Sequence, residues 1–232
     1  MMHPIRRRQF LAAAPLILAG CRSTEPPVIK VEEFQDRRHS GAIRLACVGD
    51  SITYGAGVDD REKNCYPARL GEYLGSSFEV RNLGRNGATL SKSGDLPYWG
   101  TAEFKALSEW QPDVILLMLG TNDTKPQNWN GPGPFSEDLK AMIETLRGMK
   151  SRPKIWVCLP VPVYGELGGI RAEILDKGVI PSIMEVCSSR KIPVIDVNDA
   201  LTNKPLMFPD KVHPNAIGAD LMAKTIYQAI GP

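Results

Sequence analysis

The segment "DVILLML", residues 113 to 119, carries no polar side chain after Asp113. A strand with one face in water alternates apolar and polar residues, whereas a strand covered by helices on both faces reads as an unbroken apolar run. The run is far short of a bilayer span and stops at the turn-forming sequence "GTND". It is therefore expected to lie in the middle of a parallel sheet. Four more runs of strand length flank it: "AIRLACV" at 42 to 48, "FEVRNL" at 78 to 83, "KIWVCL" at 154 to 159 and "PVIDV" at 193 to 197.

Between these runs the period changes from strand to helix. Phe135, Leu139, Met142, Ile143 and Leu146 mark one helical face, and Ile217, Leu221, Met222, Ile226 and Ile230 mark another near the C-terminus. This alternation predicts an α/β fold over residues 42–232, a three-layer α/β/α sandwich around a central parallel sheet of about five strands. In such a sheet ligands bind outside the carboxyl ends of the strands. Functional side chains are thus expected just after a strand, or on a loop returning to the same edge.

The remainder of the chain reads differently. "RRRQFLAAAPLILAGC" has a basic start, an apolar stretch from Phe10 to Gly20 too short to span a bilayer, and small residues before Cys21. Residues 1–21 are read as an export signal. "LAGC" resembles the lipobox of bacterial lipoproteins, which implies a lipid on Cys21, and "RRQFL" resembles a twin-arginine signal, although the basic cluster suits the general secretory route equally. The plainer alternative is an ordinary signal peptide with a chance cysteine. Residues 22–41 mix charges and prolines and are read as a tether, so the protein is expected to be exported and held at a membrane by its N-terminal lipid. The formal charge of +2 includes Arg6, Arg7 and Arg8 of the signal and falls to −1 without those three. That balance gives no reason to expect a nucleic-acid partner, which requires a basic surface. With 43% hydrophobic residues the chain can bury a core. Cys47, Cys65, Cys158 and Cys187 form no CxxC pair, and any disulfide among them stays unassigned.

Ser51 follows the first apolar run in "CVGDSITYGAG", residues 47 to 57. A serine hydroxyl is a weak nucleophile unless a base takes its proton, and histidine is the usual base. Of the three histidines, His3 lies in the signal and His39 in the tether, which leaves His213 in "FPDKVHPNAIG". Pro214 suits a first helical position, placing His213 at the mouth of the last helix. Asp210, three residues earlier, can receive the second ring N–H and so fix the tautomer. Acyl transfer also needs donors for a developing oxyanion: Asn122 offers its amide, and Gly84 or Gly87 a backbone N–H. With one histidine in the domain and no HExxH motif, neither metal nor cofactor is expected.

Taken together, "GDSIT" at 49 to 53, the glycine block "NLGRNGAT", "GTND" at 120 to 123 and "DKVH" at 210 to 213 resemble the SGNH, or GDSL-like, hydrolase family, in its order and over nearly all of residues 42 to 230. The resemblance implies a flavodoxin-like sandwich, with Ser51 as nucleophile, His213 as general base and acid, and Asp210 orienting it. It also implies an oxyanion hole made by the Ser51 and Gly87 backbone N–H groups and the Asn122 side chain, with no direct role for Asp50. The serine lacks the GxSxG setting of α/β-hydrolases.

Three loops expected at the active edge, residues 91–100, 124–134 and 161–169, combine aromatic and amide side chains. An acyl-chain groove would call for aliphatic residues. Tyr98, Trp99, Trp129 and Tyr164 offer flat faces for sugar rings instead, with Lys125, Gln127 and Asn128 as hydrogen-bonding neighbours. "GTNDTKPQNW" also resembles the carbohydrate-esterase and sialate-esterase members of the family. The expected function is a serine esterase removing short, acetyl groups from a carbohydrate, its partner a small or polysaccharide ester. Two alternatives stay open: a lysophospholipase or thioesterase acting on lipid acyl groups, and a non-catalytic sugar-binding protein on the same fold.

Overall fold

The computed structural model describes residues 41–231. The expected export signal, the lipidation at Cys21 and all of the tether except Gly41 lie outside the described residues. Strands β1 (Ile43–Gly49), β2 (Phe78–Gly84), β3 (Val114–Met118), β4 (Lys154–Cys158) and β5 (Val194–Ile195) form one parallel sheet in the order β2-β1-β3-β4-β5. The helices used below are α1 (Ser51–Tyr54), α2 (Tyr66–Leu74), α3 (Ala102–Trp110), α4 (Pro132–Arg147), α5 (Ile180–Arg190) and α6 (Ala216–Ile230).

The sheet is covered on both faces, as the unbroken apolar run demands. In β3, Ile115 and Leu117 point into one core with Phe135, Leu139 and Ile143 of α4 and Ile183 and Val186 of α5. Val114, Leu116 and Met118 point into the other, with Tyr66 and Leu70 of α2 and Met222 and Ile226 of α6. All five β3 residues are buried, and each such aliphatic contributes about 1.5–3 kcal/mol relative to exposure. The expected three layers and five strands are therefore present, β5 being reduced to two residues.

The strand order reverses direction at β1: the chain leaves β1 for β2 on one side and returns to β3 on the other. That switch point, at the carboxyl end of β1, is where a crevice opens in folds of this type. Ser51 stands there.

The last helix departs from expectation in two ways. It opens at Ala216, with Asn215 as its cap accepting the Gly218 N–H at 3.0 Å, so Pro214 precedes the cap and is not the first helical residue. Its inward face is Gly218, Ala219, Met222, Ala223, Ile226 and Ile230, while Ile217 is 66% exposed. Ile217 lies two residues, more than half a turn, from Ala219 and cannot share its face.

Candidate active site

The local sequence explains how Ser51 is presented. Asp50 ends β1's run as the cap of α1, its Oδ1 accepting the Ile52 N–H at 2.9 Å. Ser51 is the first residue of that turn, and its backbone N–H has no partner among the described residues. Gly84, closing β2, lets the turn sit directly on the sheet: a Cβ there would come within 2.1 Å of the Tyr54 nitrogen. Any side chain at 84 would push α1, and Ser51 with it, off the strand ends.

His213 reaches the same point from the far end of the chain. Asp210 Oδ1 accepts both the Val212 N–H at 3.0 Å and the His213 N–H at 2.7 Å, folding the loop back on itself. Lys211 takes a left-handed φ of 78° in this tight turn, and its carbonyl accepts the Tyr164 N–H at 2.8 Å. The ring then lies between two partners: Nδ1 is 2.6 Å from Asp210 Oδ2 and Nε2 is 2.8 Å from Ser51 Oγ. A neutral ring with its proton on Nδ1 satisfies both, donating to the carboxylate and accepting from the hydroxyl. Burial pushes the Asp210 carboxyl up, but the backbone N–H and ring of His213 and the Val212 N–H outweigh it and hold its pKa below the usual carboxylate range. It is a carboxylate whenever the ring needs one.

The expected oxyanion donors stand on two further loops. Arg85 N–H donates to the Gly49 carbonyl at 2.9 Å, bringing the loop after β2 against the end of β1. Ala88 N–H bonds the Arg85 carbonyl at 3.1 Å with Gly87 at φ 79°, a turn that needs glycine at its third position. The Gly87 N–H has no partner among the described residues. Asn122 is 3% exposed; one of its amide hydrogens goes to the Ala88 carbonyl at 3.1 Å and the other remains for a ligand. Of the two candidate glycines, Gly84 is committed to the β2 end, its N–H taken by Asn82 Oδ1 at 2.9 Å.

Two buried carboxylates surround these groups. Asp50 is 1% exposed, and burial raises its pKa to about 6 against the opposing pull of the Ile52 N–H, His213 and Thr121. Asp123 is fully buried, and burial raises its pKa against the Leu90 and Ser91 N–H groups it binds. Asp123 carried no role in the sequence reading. The available signal was an acid directly after a buried strand, in "GTND", with no basic residue next to it.

The structure corrects two of the expected substrate contacts, Tyr98 and Asn128, which are buried, and leaves Trp99, Trp129 and Tyr164 half-exposed. Tyr98 has no exposed surface, and its hydroxyl donates to the Leu83 carbonyl at 2.7 Å, so it offers no face to a sugar. Asn128, 1% exposed, spends its amide on Asp95 and the Asn122 carbonyl and has nothing left for substrate. Trp99 packs against Phe104 and donates its indole N–H to the Leu90 carbonyl at 2.8 Å. Trp129 packs against Phe135 and against Gly178, where a Cβ would lie 2.6 Å from its ring. Tyr164 stacks on Phe208 and ties its hydroxyl to the Leu201 carbonyl and the Lys204 N–H. Tyr98 and Asn128 pin their loops to the scaffold, and the other three rings pack on it with part of their surface exposed. Among the six expected substrate contacts Lys125 and Trp129, both half-buried, make no side-chain hydrogen bond or ion pair among the described residues, and of these two Lys125 also packs on no ring.

Comparison with known proteins follows the same lines. An acetylxylan esterase from Xylanibacter ruminicola is 36% identical over 207 residues, which cover 82% of this chain and 43% of that protein. The chain thus spans less than half the length of that relative. An uncharacterised Bacillus subtilis protein, YpmR, is 23% identical over 251 residues, covering 97% of this chain and 96% of that one. Among solved structures, a carbohydrate acetylesterase from Sinorhizobium meliloti superposes with a TM-score of 0.67 at 19% identity, over 80% of this chain and 97% of its own. An aryl esterase from M. smegmatis does so with a TM-score of 0.63 at 19% identity, over 81% and 100%. At that identity the two structures establish the fold. The family model described as GDSL-like lipase/acylhydrolase matches residues 47–221, from the strand before Ser51 into the helix after His213, and the chain belongs to that family.

Proposed function

We propose that this protein is a serine esterase that removes acetyl groups from a carbohydrate. The observation that carries the reading is the unbroken relay from Ser51 Oγ to His213 Nε2 at 2.8 Å and from His213 Nδ1 to Asp210 Oδ2 at 2.6 Å. Ser51 Oγ attacks the ester carbonyl carbon, its proton passes to Nε2, and the carbonyl electron pair moves onto oxygen. That oxyanion takes hydrogen bonds from the Ser51 and Gly87 N–H groups and the free Asn122 amide hydrogen. Collapse expels the sugar hydroxyl, which takes the proton from Nε2. Water repeats the sequence on the acetyl-serine and releases acetate. Asp210 stays ionised throughout and stabilises the imidazolium.

The acetyl and carbohydrate elements rest on the acetylxylan esterase relative. A second reading, a longer acyl group, is favoured by two exposed apolar side chains near the His213 loop, Leu206 at 92% and Ile217 at 66%. The deciding experiment measures hydrolysis of acetyl and octanoyl nitrophenyl esters and of acetylated xylan, with Ser51→Ala as control. Acetyl preference abolished by Ser51→Ala supports the proposal; octanoyl preference moves it to lipid acyl groups, and wild-type turnover in Ser51→Ala removes the mechanism. Export and anchoring through Cys21 belong to the same proposal, and Cys21→Ala should release the protein from the membrane fraction.

A further inference from the structure

The oxyanion donors sit on loops that the sheet does not hold together. Gly87 follows β2 and Asn122 follows β3, and β1 lies between those strands. No ladder hydrogen bond therefore sets the distance between the two donors. Side chains do so instead, in three steps along the loops. Asn122 Nδ2 bonds the Ala88 carbonyl at 3.1 Å. Asp123 uses both carboxylate oxygens on consecutive residues, Oδ2 accepting the Leu90 N–H at 2.9 Å and Oδ1 the Ser91 N–H at 2.8 Å. Asn128 Nδ2 donates to the Asn122 carbonyl and to Asp95 Oδ1, both at 2.9 Å, while its Oδ1 accepts the Asp95 N–H at 2.9 Å.

The chemistry of this seam is specific. Both Asp123 oxygens face N–H donors, so only an acceptor pair fits, and the side chain is entirely buried. Leu90 and Ser91 are three and four residues past Gly87, close enough that any shift of the seam moves the turn carrying its N–H. Neither Asp123 nor Asn128 has a polar atom left for a substrate. We infer that Asp123, seconded by Asn128, is a positioning residue that sets the separation of the Gly87 and Asn122 donors and so the fit of the site to a tetrahedral oxyanion. The inference rests on the esterase reading above.

Asp123→Asn tests it with little change in shape. One carbonyl oxygen survives, but the amide NH2 now meets a backbone N–H, and two donors cannot bond each other. A misplacement approaching 1 Å costs about a hundredfold in rate, so kcat on nitrophenyl acetate should fall by about ten- to a hundredfold with KM little changed. The direct probe is an aryl trifluoromethyl ketone, whose adduct with Ser51 places an oxyanion where the substrate's would be. Its affinity should weaken by the same factor as kcat/KM. In the double variant Asn122→Ala/Asp123→Asn the two losses should be less than additive, because Asp123 acts through a donor already removed.

A folded Asp123→Asn protein with wild-type kcat, or one whose kcat falls while ketone affinity holds, overturns the inference. Additive losses in the double variant do the same. Should Asp123→Asn not fold, Asn128→Ala is read by the same criteria. Ser51→Ala separates the two levels: if it retains activity the esterase reading itself falls, whereas an inactive Ser51→Ala beside an unimpaired Asp123→Asn removes only the positioning role.

Discussion

Asp50 and Asp210 both feel the charge of His213 and are treated in opposite ways. Asp50 has no exposed surface to speak of, and its pKa is raised to about 6. A carboxyl raised in the folded state favours folding most when protonated, below its unfolded pKa, and that contribution is lost as pH rises through 6. A rise of that size corresponds to about 3 kcal/mol held against the fold at neutral pH. Asp50→Asn keeps an acceptor for the Ile52 N–H, so it should gain about 1–3 kcal/mol at pH 7.5 and little at pH 4. Urea denaturation at the two pH values reads the difference, and an equal gain at both would mean burial is not the cause. The same change should lower kcat, since the buried charge favours the imidazolium. Asp210 has its pKa depressed, so its contribution is present at neutral pH and lost only as pH falls through that lowered value. Asp210→Asn should reduce kcat on the order of a thousandfold or more by presenting the wrong tautomer to Ser51. An unchanged rate would assign the orienting role to another group.

At the level of elements, rings expected to face a sugar also brace the loops that carry them. Trp129 lies over Gly178, inside the π-helical turn Leu175–Val179 that runs into α5. Gly178→Ala places a methyl 2.6 Å from the indole and should cost about 1–3 kcal/mol of stability. Trp129→Ala should cost about 2–4 kcal/mol and slow a sugar ester and an aryl acetate equally; a loss confined to the sugar ester would show that the ring reaches substrate. Ser51, Asp210 and His213 were legible in sequence because chemistry limits the choice: one histidine in the domain, one acid at the right spacing, one serine after a strand. β3 was legible because a two-sided core leaves no polar position. The burial of Tyr98 was not, because an aromatic residue in a loop reads the same whether its polar tip faces water or a buried carbonyl. Asp123 went unread for a similar reason: its partners are backbone N–H groups, which leave no mark in a sequence. Ile217 was misplaced because periodicity gives the face of a helix but not the phase that its Asn215 cap imposes.

Over the whole molecule, the four described cysteines are buried and unpaired, and burial pushes the Cys158 and Cys187 thiols up to about 12. Stability should therefore not respond to reductant, and iodoacetamide should label the native protein only as fast as it opens. Rapid labelling, or a melting temperature lowered by dithiothreitol, would contradict this thiol arrangement. The relay itself spans the chain, for Ser51 and His213 are 162 residues apart and meet only across the finished sheet. On the proposed mechanism, a growing polypeptide that has not yet reached His213 carries the nucleophile and the oxyanion loops but not the base. Such a chain would not cleave esters during synthesis, and the return of hydrolysis after dilution from denaturant would report the closure of a contact between residues 162 apart.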